Sequence, residues 1–157
     1  MSQHIGDSGI IKKSSNGDNE FMVQPQVRFI ECPIKTAQGV LGKKWTILII
    51  RDIGLNKIGR FNRLLESIPG ITPRVLSMRL KELEKEGFIE CEEKKKSPMM
   101  VSWRLTEKGK DVIPILLQMV AFSSKWHSDV IFEDKVPRKI NEIFSQSETT
   151  EIMKGYF

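Results

Sequence analysis

The segments Arg60-Phe61-Asn62-Arg63-Leu64-Leu65, Pro69-Gly70-Ile71 and Leu76-Ser77-Met78-Arg79-Leu80-Lys81-Glu82-Leu83-Glu84 follow one another within residues 60–84. Their spacing predicts a short helix over Phe61 to Ser67, a stop at Pro69-Gly70, and a second helix entered through Thr72-Pro73. A capping hydroxyl followed by proline at the first helical position is a helix-start signal. Leu76, Leu80 and Leu83 recur at i, i+4 and i+7, one apolar stripe that faces inward. Arg74, Ser77, Met78, Lys81 and Lys85 fall largely on the other side, and Gly87 terminates the helix. Two helices joined by a tight turn, the second basic on its outer face, read as a helix-turn-helix.

The flanks extend this reading. Phe88-Ile89-Glu90-Cys91-Glu92 and Met100-Val101-Ser102-Trp103-Arg104 are expected as two strands, joined by the loop Lys94-Lys95-Lys96-Ser97-Pro98. That hairpin would be a wing. Upstream, Pro33 opens a helix from Ile34 to Leu41, which Gly42 breaks. A second helix over about Lys44 to Ile53 is apolar on more than one side, as a buried central helix would be. Asn56 to Gly59 is a turn or short strand. Downstream, Thr106-Glu107-Lys108-Gly109 begins a long helix expected to reach about Phe132, with Pro114 kinking or restarting it. Its apolar residues, among them Ile115, Met119, Phe122 and Trp126, cover more than one stripe. The surplus face implies a second copy of the chain. Arg138 to Phe144 is expected as a small extra helix, and the residues after Ser145 as frayed.

The fold class is therefore mostly α with a small β-hairpin: a winged helix-turn-helix dimerising through N-terminal and long C-terminal helices. Residues 1–24, rich in Gly, Ser, Asn and Asp, read as a flexible tail. Residues 25–132 form the winged-helix domain with its dimerisation helix, and 133–157 a C-terminal extension.

Charge distribution agrees. The 157-residue chain carries a formal +5, but residues 32–109 hold sixteen Lys/Arg against nine Asp/Glu, while both flanking segments are slightly acidic. A focused basic region favours a polyanionic partner. The two cysteines, Cys32 and Cys91, are too few for a disulfide framework and lack zinc-ligand spacing. His4 and His127 have no local partners. No nucleophilic triad, paired carboxylates or glycine-rich phosphate loop stands in the chain, so an enzyme is not expected, nor a cofactor or metal. There is no signal-peptide-like run and no apolar stretch long enough for a bilayer; a cytoplasmic protein without membrane association is expected.

Site residues follow from these placements. A recognition helix needs small polar and cationic side chains near its N-terminus to reach base edges, and Thr72, Arg74, Ser77 and Met78 supply them. Arg79 and Lys81 are candidate phosphate contacts on the same helix. Lys94, Lys95 and Lys96 at the wing, with Lys43, Arg60 and Arg63 near helix starts, are further phosphate candidates. The competing interpretation of each set is a solvated charged face. Cys32 precedes a helix N-terminus, where the dipole can lower a thiol pKa, and is a candidate redox residue or a small packing residue. Cys91 is expected to face the core side. Trp45, Trp103 and Trp126 read most simply as core or interface.

The chain resembles the HxlR-type winged helix-turn-helix transcriptional regulators over about Cys32 to Gly109 and the helix that follows. The resemblance is carried by Cys32-Pro33, Gly42-Lys43-Lys44-Trp45, Arg60-Phe61-Asn62, Pro69-Gly70-Ile71, Leu80-Lys81-Glu82-Leu83-Glu84 and Leu105-Thr106-Glu107-Lys108-Gly109 in that order. It implies a homodimeric regulator that binds double-stranded DNA at a palindromic operator. It also implies, for some relatives, sensing of oxidants or electrophiles through the cysteine that Cys32 matches. The chain departs from the family pattern at Ser102 and Trp103, where an acid and a tyrosine are usual, and in its longer N-terminal tail. Two alternatives accompany the regulator reading: a thiol-based redox sensor through Cys32, and a winged-helix protein–protein adaptor. A small-molecule effector between the long helices and the winged domain is compatible with the layout, but no residue names one.

Overall fold

The computed structural model describes residues 25–94 and 100–154, and divides the chain into two units, Met1–Ile30 and Glu31–Phe157. The described part of the first unit, residues 25–30, is exposed and carries no helix or strand. The expected tail over residues 1–24 lies outside the described residues.

The second unit begins with α1 (Pro33–Leu41), whose proline occupies the first turn, followed by α2 (Thr46–Gly54) and α3 (Phe61–Ser67). Next come α4 (Pro73–Lys85), β1 (Ile89–Lys94) and β2 (Met100–Leu105). The chain ends with α5 (Glu107–Lys110), α6 (Ile113–Trp126), α7 (Ser128–Ile131), α8 (Ile140–Ile143) and α9 (Gln146–Met153). The two strands pair antiparallel, with Ile89 opposite Leu105 and Lys94 opposite Met100. An isolated bridge between Arg60 and Ser102 adds the start of α3 to the sheet, and the Trp103 amide donates to the Gly59 carbonyl at 2.9 Å. A Cβ on Gly59 would stand 2.4 Å from the Trp103 oxygen, so only glycine permits this approach.

One core joins these elements. Ile49, Ile50 and Ile53 of α2 pack with Leu64 of α3, and with Leu76, Leu80 and Leu83 of α4. Phe88, Ile89, Val112, Ile113, Leu116 and Leu117 complete it. The leucine stripe of α4 is thus the inward face that its spacing predicts. The buried carboxylate of Asp52 stands inside this core and is fully provided for. It accepts from Arg51 Nε and Asn56 Nδ2, each at 2.7 Å, and from the Ser67 hydroxyl at 2.6 Å. The last bond ties the last turn of α2 to the last residue of α3.

Several boundaries differ from expectation for local reasons. α2 starts at Thr46 rather than Lys44, because Trp45 adopts a left-handed backbone with φ 79° and leaves Lys43 and Lys44 in the preceding turn. The long C-terminal helix is three pieces. Thr106 caps α5 by accepting from the Gly109 amide at 3.1 Å, and Pro114 sits in the first turn of α6, where its missing N–H costs nothing. His127, with φ −135°, then separates α6 from α7. The residues after Ser145 are not frayed: α9 packs against α6, and Phe144 and Ile152 lie half-buried on the core. A buried hydroxyl adds a further tie to this C-terminal segment. Buried Ser124 of α6 donates to the Arg138 carbonyl at 2.6 Å and accepts from the Arg138 amide at 2.8 Å.

The apolar surplus of the C-terminal helices is real. Ile115, Met119, Phe122 and Trp126 of α6, with Val130 and Ile131 of α7, remain exposed. α1 buries none of its residues. Among the described residues no helix is long and apolar enough to cross a membrane.

Candidate nucleic-acid interface

The site is built on α4. Thr72 stands before it in extended backbone, and its hydroxyl accepts from the Val75 amide at 3.3 Å, closing one of the orphan donors of the first turn. The turn that delivers it needs Gly70, whose φ is +86°. The indole of Trp45 lies 3.5 Å from where a Cβ on Gly70 would stand, so α2's entry and the α3–α4 turn are packed together.

With its three leucines buried, α4 turns Arg74, Ser77, Met78, Lys81, Glu82 and Lys85 toward a shallow surface groove. The sequence reading placed five of these side chains outside, and the structure brings them to one face. Arg74, Lys81 and Lys85 take part in none of the salt bridges among the described residues. Their charge is therefore directed outward rather than neutralised within the fold.

Arg79, expected as a phosphate contact, is drawn into the fold. Its side chain is only 17% exposed. Its Nε donates to the Lys44 carbonyl at 3.1 Å, and a terminal nitrogen bonds Glu82 at 2.6 Å. Glu82 also lies 3.6 Å from Lys43 Nζ. The Arg79 hydrogen bond, reinforced by the charges of Arg79 and Lys43, holds the Glu82 carboxyl below its ordinary value despite an opposing desolvation. Arg79 is thus a strut between α4 and the turn before α2. Lys44 stacks its ammonium over the Trp45 ring at 4.6 Å, strengthening the same corner.

The remaining basic candidates are distributed around this helix. Arg60, the N-cap residue of α3, is exposed, and Arg63 on its first turn holds only a loose 3.6 Å contact with Glu66 between two exposed side chains. Lys94 ends β1, while Lys95 and Lys96 lie outside the described residues.

Cys32 is exposed at the N-cap of α1, and its carbonyl accepts from the Thr36 amide at 3.0 Å. Cys91, expected on the core side, is exposed instead. Ile89, two residues earlier on the same side of the strand, is buried, so β1 leaves the core between them. Among the described residues no group of three His, Cys, Asp or Glu side chains is arranged to hold a metal.

Two features escaped the sequence reading. The Arg79–Glu82 pair was present at i, i+3 spacing, a signal for an ion pair, but nothing local revealed the Lys44 carbonyl as a third partner. The role of Asp52 was hinted at by an acid inside the run Ile49-Ile50-Arg51-Asp52-Ile53.

Comparison with known proteins agrees with this geometry. The family model described as HxlR-like helix-turn-helix matches residues 40–130. The chain is 36% identical over 96 residues to the HTH-type transcriptional regulator YvaP of Bacillus subtilis, covering 60% of this chain and 88% of that protein. It is 34% identical over 96 residues to the HTH-type transcriptional regulator YodB of the same organism, covering 60% and 85%. The reduced form of YodB superposes with a TM-score of 0.54 at 33% identity, covering 62% of this chain and 96% of that one. The redox regulator HypR in its oxidized form gives a TM-score of 0.53 at 36% identity, covering 60% and 96%.

Proposed function

The chain belongs to the HxlR-like helix-turn-helix family, whose members are transcriptional regulators, and from that premise we propose that it acts as a homodimer on a palindromic operator. The observation that carries this reading is the outer face of α4. Three buried leucines fix the helix, a threonine caps its start, and Arg74, Ser77, Met78 and Lys81 stand outward. In this role Thr72, Arg74, Ser77 and Met78 read base edges. Lys43, Arg60, Arg63, Lys81 and the wing lysines Lys94, Lys95 and Lys96 hold phosphates. Arg79 serves by keeping α4 in register with α2.

The exposed strip Ile115, Met119, Phe122 and Trp126, together with the unburied α1, supports dimerisation through the N-terminal and C-terminal helices. A two-fold dimer presents its recognition helices to successive major grooves, roughly 34 Å apart, and so selects an inverted repeat. The DNA-binding and dimerising part is 25–132, and 133–157 is an extension added to it.

A second reading concerns the signal. The family relatives include a redox regulator captured in oxidized form, and Cys32 is exposed at a helix start. In this reading thiol oxidation at Cys32 changes operator affinity.

Selection of bound sequences from random duplex DNA, with the protein reduced and oxidised, tests both. Recovery of an inverted repeat is expected, and a difference between the two states that Cys32→Ser abolishes supports the switch. Enrichment of nothing above background would overturn operator binding by the chain alone and favour a protein–protein adaptor.

A further inference from the structure

Met78 differs in kind from the side chains around it. It is 45% exposed and is the one large apolar side chain among the residues lining the groove on α4. The core has no use for it, because Leu76, Leu80 and Leu83 are each at most 2% exposed and already complete the inward face. At 100° per residue Met78 lies four residues after Arg74 and three before Lys81, on the centre line of the outward face. Cations therefore flank an apolar patch about one side chain wide.

We propose that Met78 is a specificity-determining residue that reads the C5-methyl group of a thymine in the operator's major groove. The assignment rests on the DNA-binding reading above and names the chemistry of one contact within it. The major groove displays hydrogen-bonding edges and a single apolar group, the thymine methyl. A polar side chain gains nothing there, whereas a thioether is apolar, polarizable and flexible enough to close over a methyl. Arg74 and Lys81 match the remaining chemistry of the groove: guanine edges and flanking phosphates, both electronegative.

The test uses the full-length protein and the operator duplex recovered by selection. Each thymine is replaced singly by deoxyuridine, which removes the methyl and leaves both pairing and hydrogen-bonding edges intact. At one position per half-site, affinity should fall roughly three- to fivefold, the loss expected when one methyl group is left uncovered. Met78→Ala should bind the thymine and uridine duplexes equally well, and Met78→Leu should keep the preference for thymine. Both substitutions are at an exposed position, and unchanged thermal melting would confirm intact folds. Wild-type protein indifferent to uridine at every position would overturn the assignment, as would full thymine preference in Met78→Ala. Either result leaves sequence-specific binding itself standing. Absence of binding to any duplex would instead overturn the DNA reading, and this contact with it.

Discussion

The hydroxyl of Ser67, at the end of α3, donates a 2.6 Å hydrogen bond to the fully buried carboxylate of Asp52 in the last turn of α2. The bond spans fifteen residues of sequence. It sets the height of α3 on α2, and thereby where the turn into α4 begins. Hydrogen bonds to a charged partner contribute about 1.5–3 kcal/mol. Ser67→Ala should lower unfolding free energy by that amount, read from the urea midpoint at unchanged slope. A loss below about 0.5 kcal/mol, the scatter of ordinary surface substitutions, would show that Arg51 and Asn56 satisfy the carboxylate without Ser67.

Gly109 is confined by a neighbour rather than by its own backbone. A Cβ there would stand 2.0 Å from the Phe88 carbonyl oxygen and 3.3 Å from the Leu105 Cβ. Gly109→Ala should cost about 3 kcal/mol, the upper part of the range for overpacking. Gly39, inside α1, has nothing within 4 Å of its Cβ position. Gly39→Ala should stabilise by up to about 1 kcal/mol through helix propensity alone. Thermal melts of the two variants should therefore move in opposite directions.

Arg74 stands on the outer face of α4 without a salt bridge among the described residues. Its replacement by alanine should cost about 1–3 kcal/mol of affinity for the selected site and relax preference at one base position. An equal loss on selected and random DNA would reduce Arg74 to a phosphate anchor.

The wing lysines should behave in the opposite manner. Replacing Lys94, Lys95 and Lys96 with glutamine should weaken binding to every sequence. It should also flatten the dependence of log affinity on log salt, by about 0.9 for each phosphate no longer neutralised. An unaltered slope would take the wing out of the interface.

Glu82 gives a pH signature. Arg79 holds its carboxyl below the ordinary 4.5 in the folded chain. A lowered folded value means that the stabilisation is complete above the ordinary 4.5 of the unfolded chain, and is lost as the pH falls through the lowered value. The stability difference between wild type and Glu82→Gln should therefore be constant near neutrality and shrink as the pH falls below the ordinary 4.5. A gap that persists unchanged into acid would show that the carboxylate charge contributes nothing to the Arg79–Lys43 corner.

Much of the fold was legible because its signals are local. The ends of α3 and α4 follow from a Pro-Gly stop, a Thr-Pro start and a leucine period, and each is decided within a few residues. The outward set on α4 was legible for the same reason: once three leucines fix the buried face, the other positions are determined by geometry. Trp45 was not, since a left-handed tryptophan is held by contacts with Lys44 and the Gly70 turn that no local rule encodes. The break at His127 was hidden because apolar residues recur on both sides of it, Phe122 and Trp126 before and Val130 and Ile131 after. Residues after Ser145 were expected as frayed, yet Ile152 finds cover on the core. Arg79 misled because a cation on a basic helix was counted among the phosphate contacts, when it bonds the Lys44 carbonyl before α2 and Glu82 on its own helix.

The hairpin is fastened at its root. Trp103 is bonded to Gly59, Ser102 is bridged to Arg60, and the Thr106 amide donates to the Phe88 carbonyl at 3.1 Å. The segment entering α3 thus holds β2 at Trp103 and Ser102, the Thr106–Phe88 bond closes the hairpin's own two ends, and none of these points lies beyond Ser102. Closing a longer loop costs little, about 0.6 kcal/mol for each doubling of length. The hairpin's tip can accordingly be lengthened, shortened or recharged between Lys94 and Met100 while its base stays in place, so its reach is adjustable without renegotiating the core.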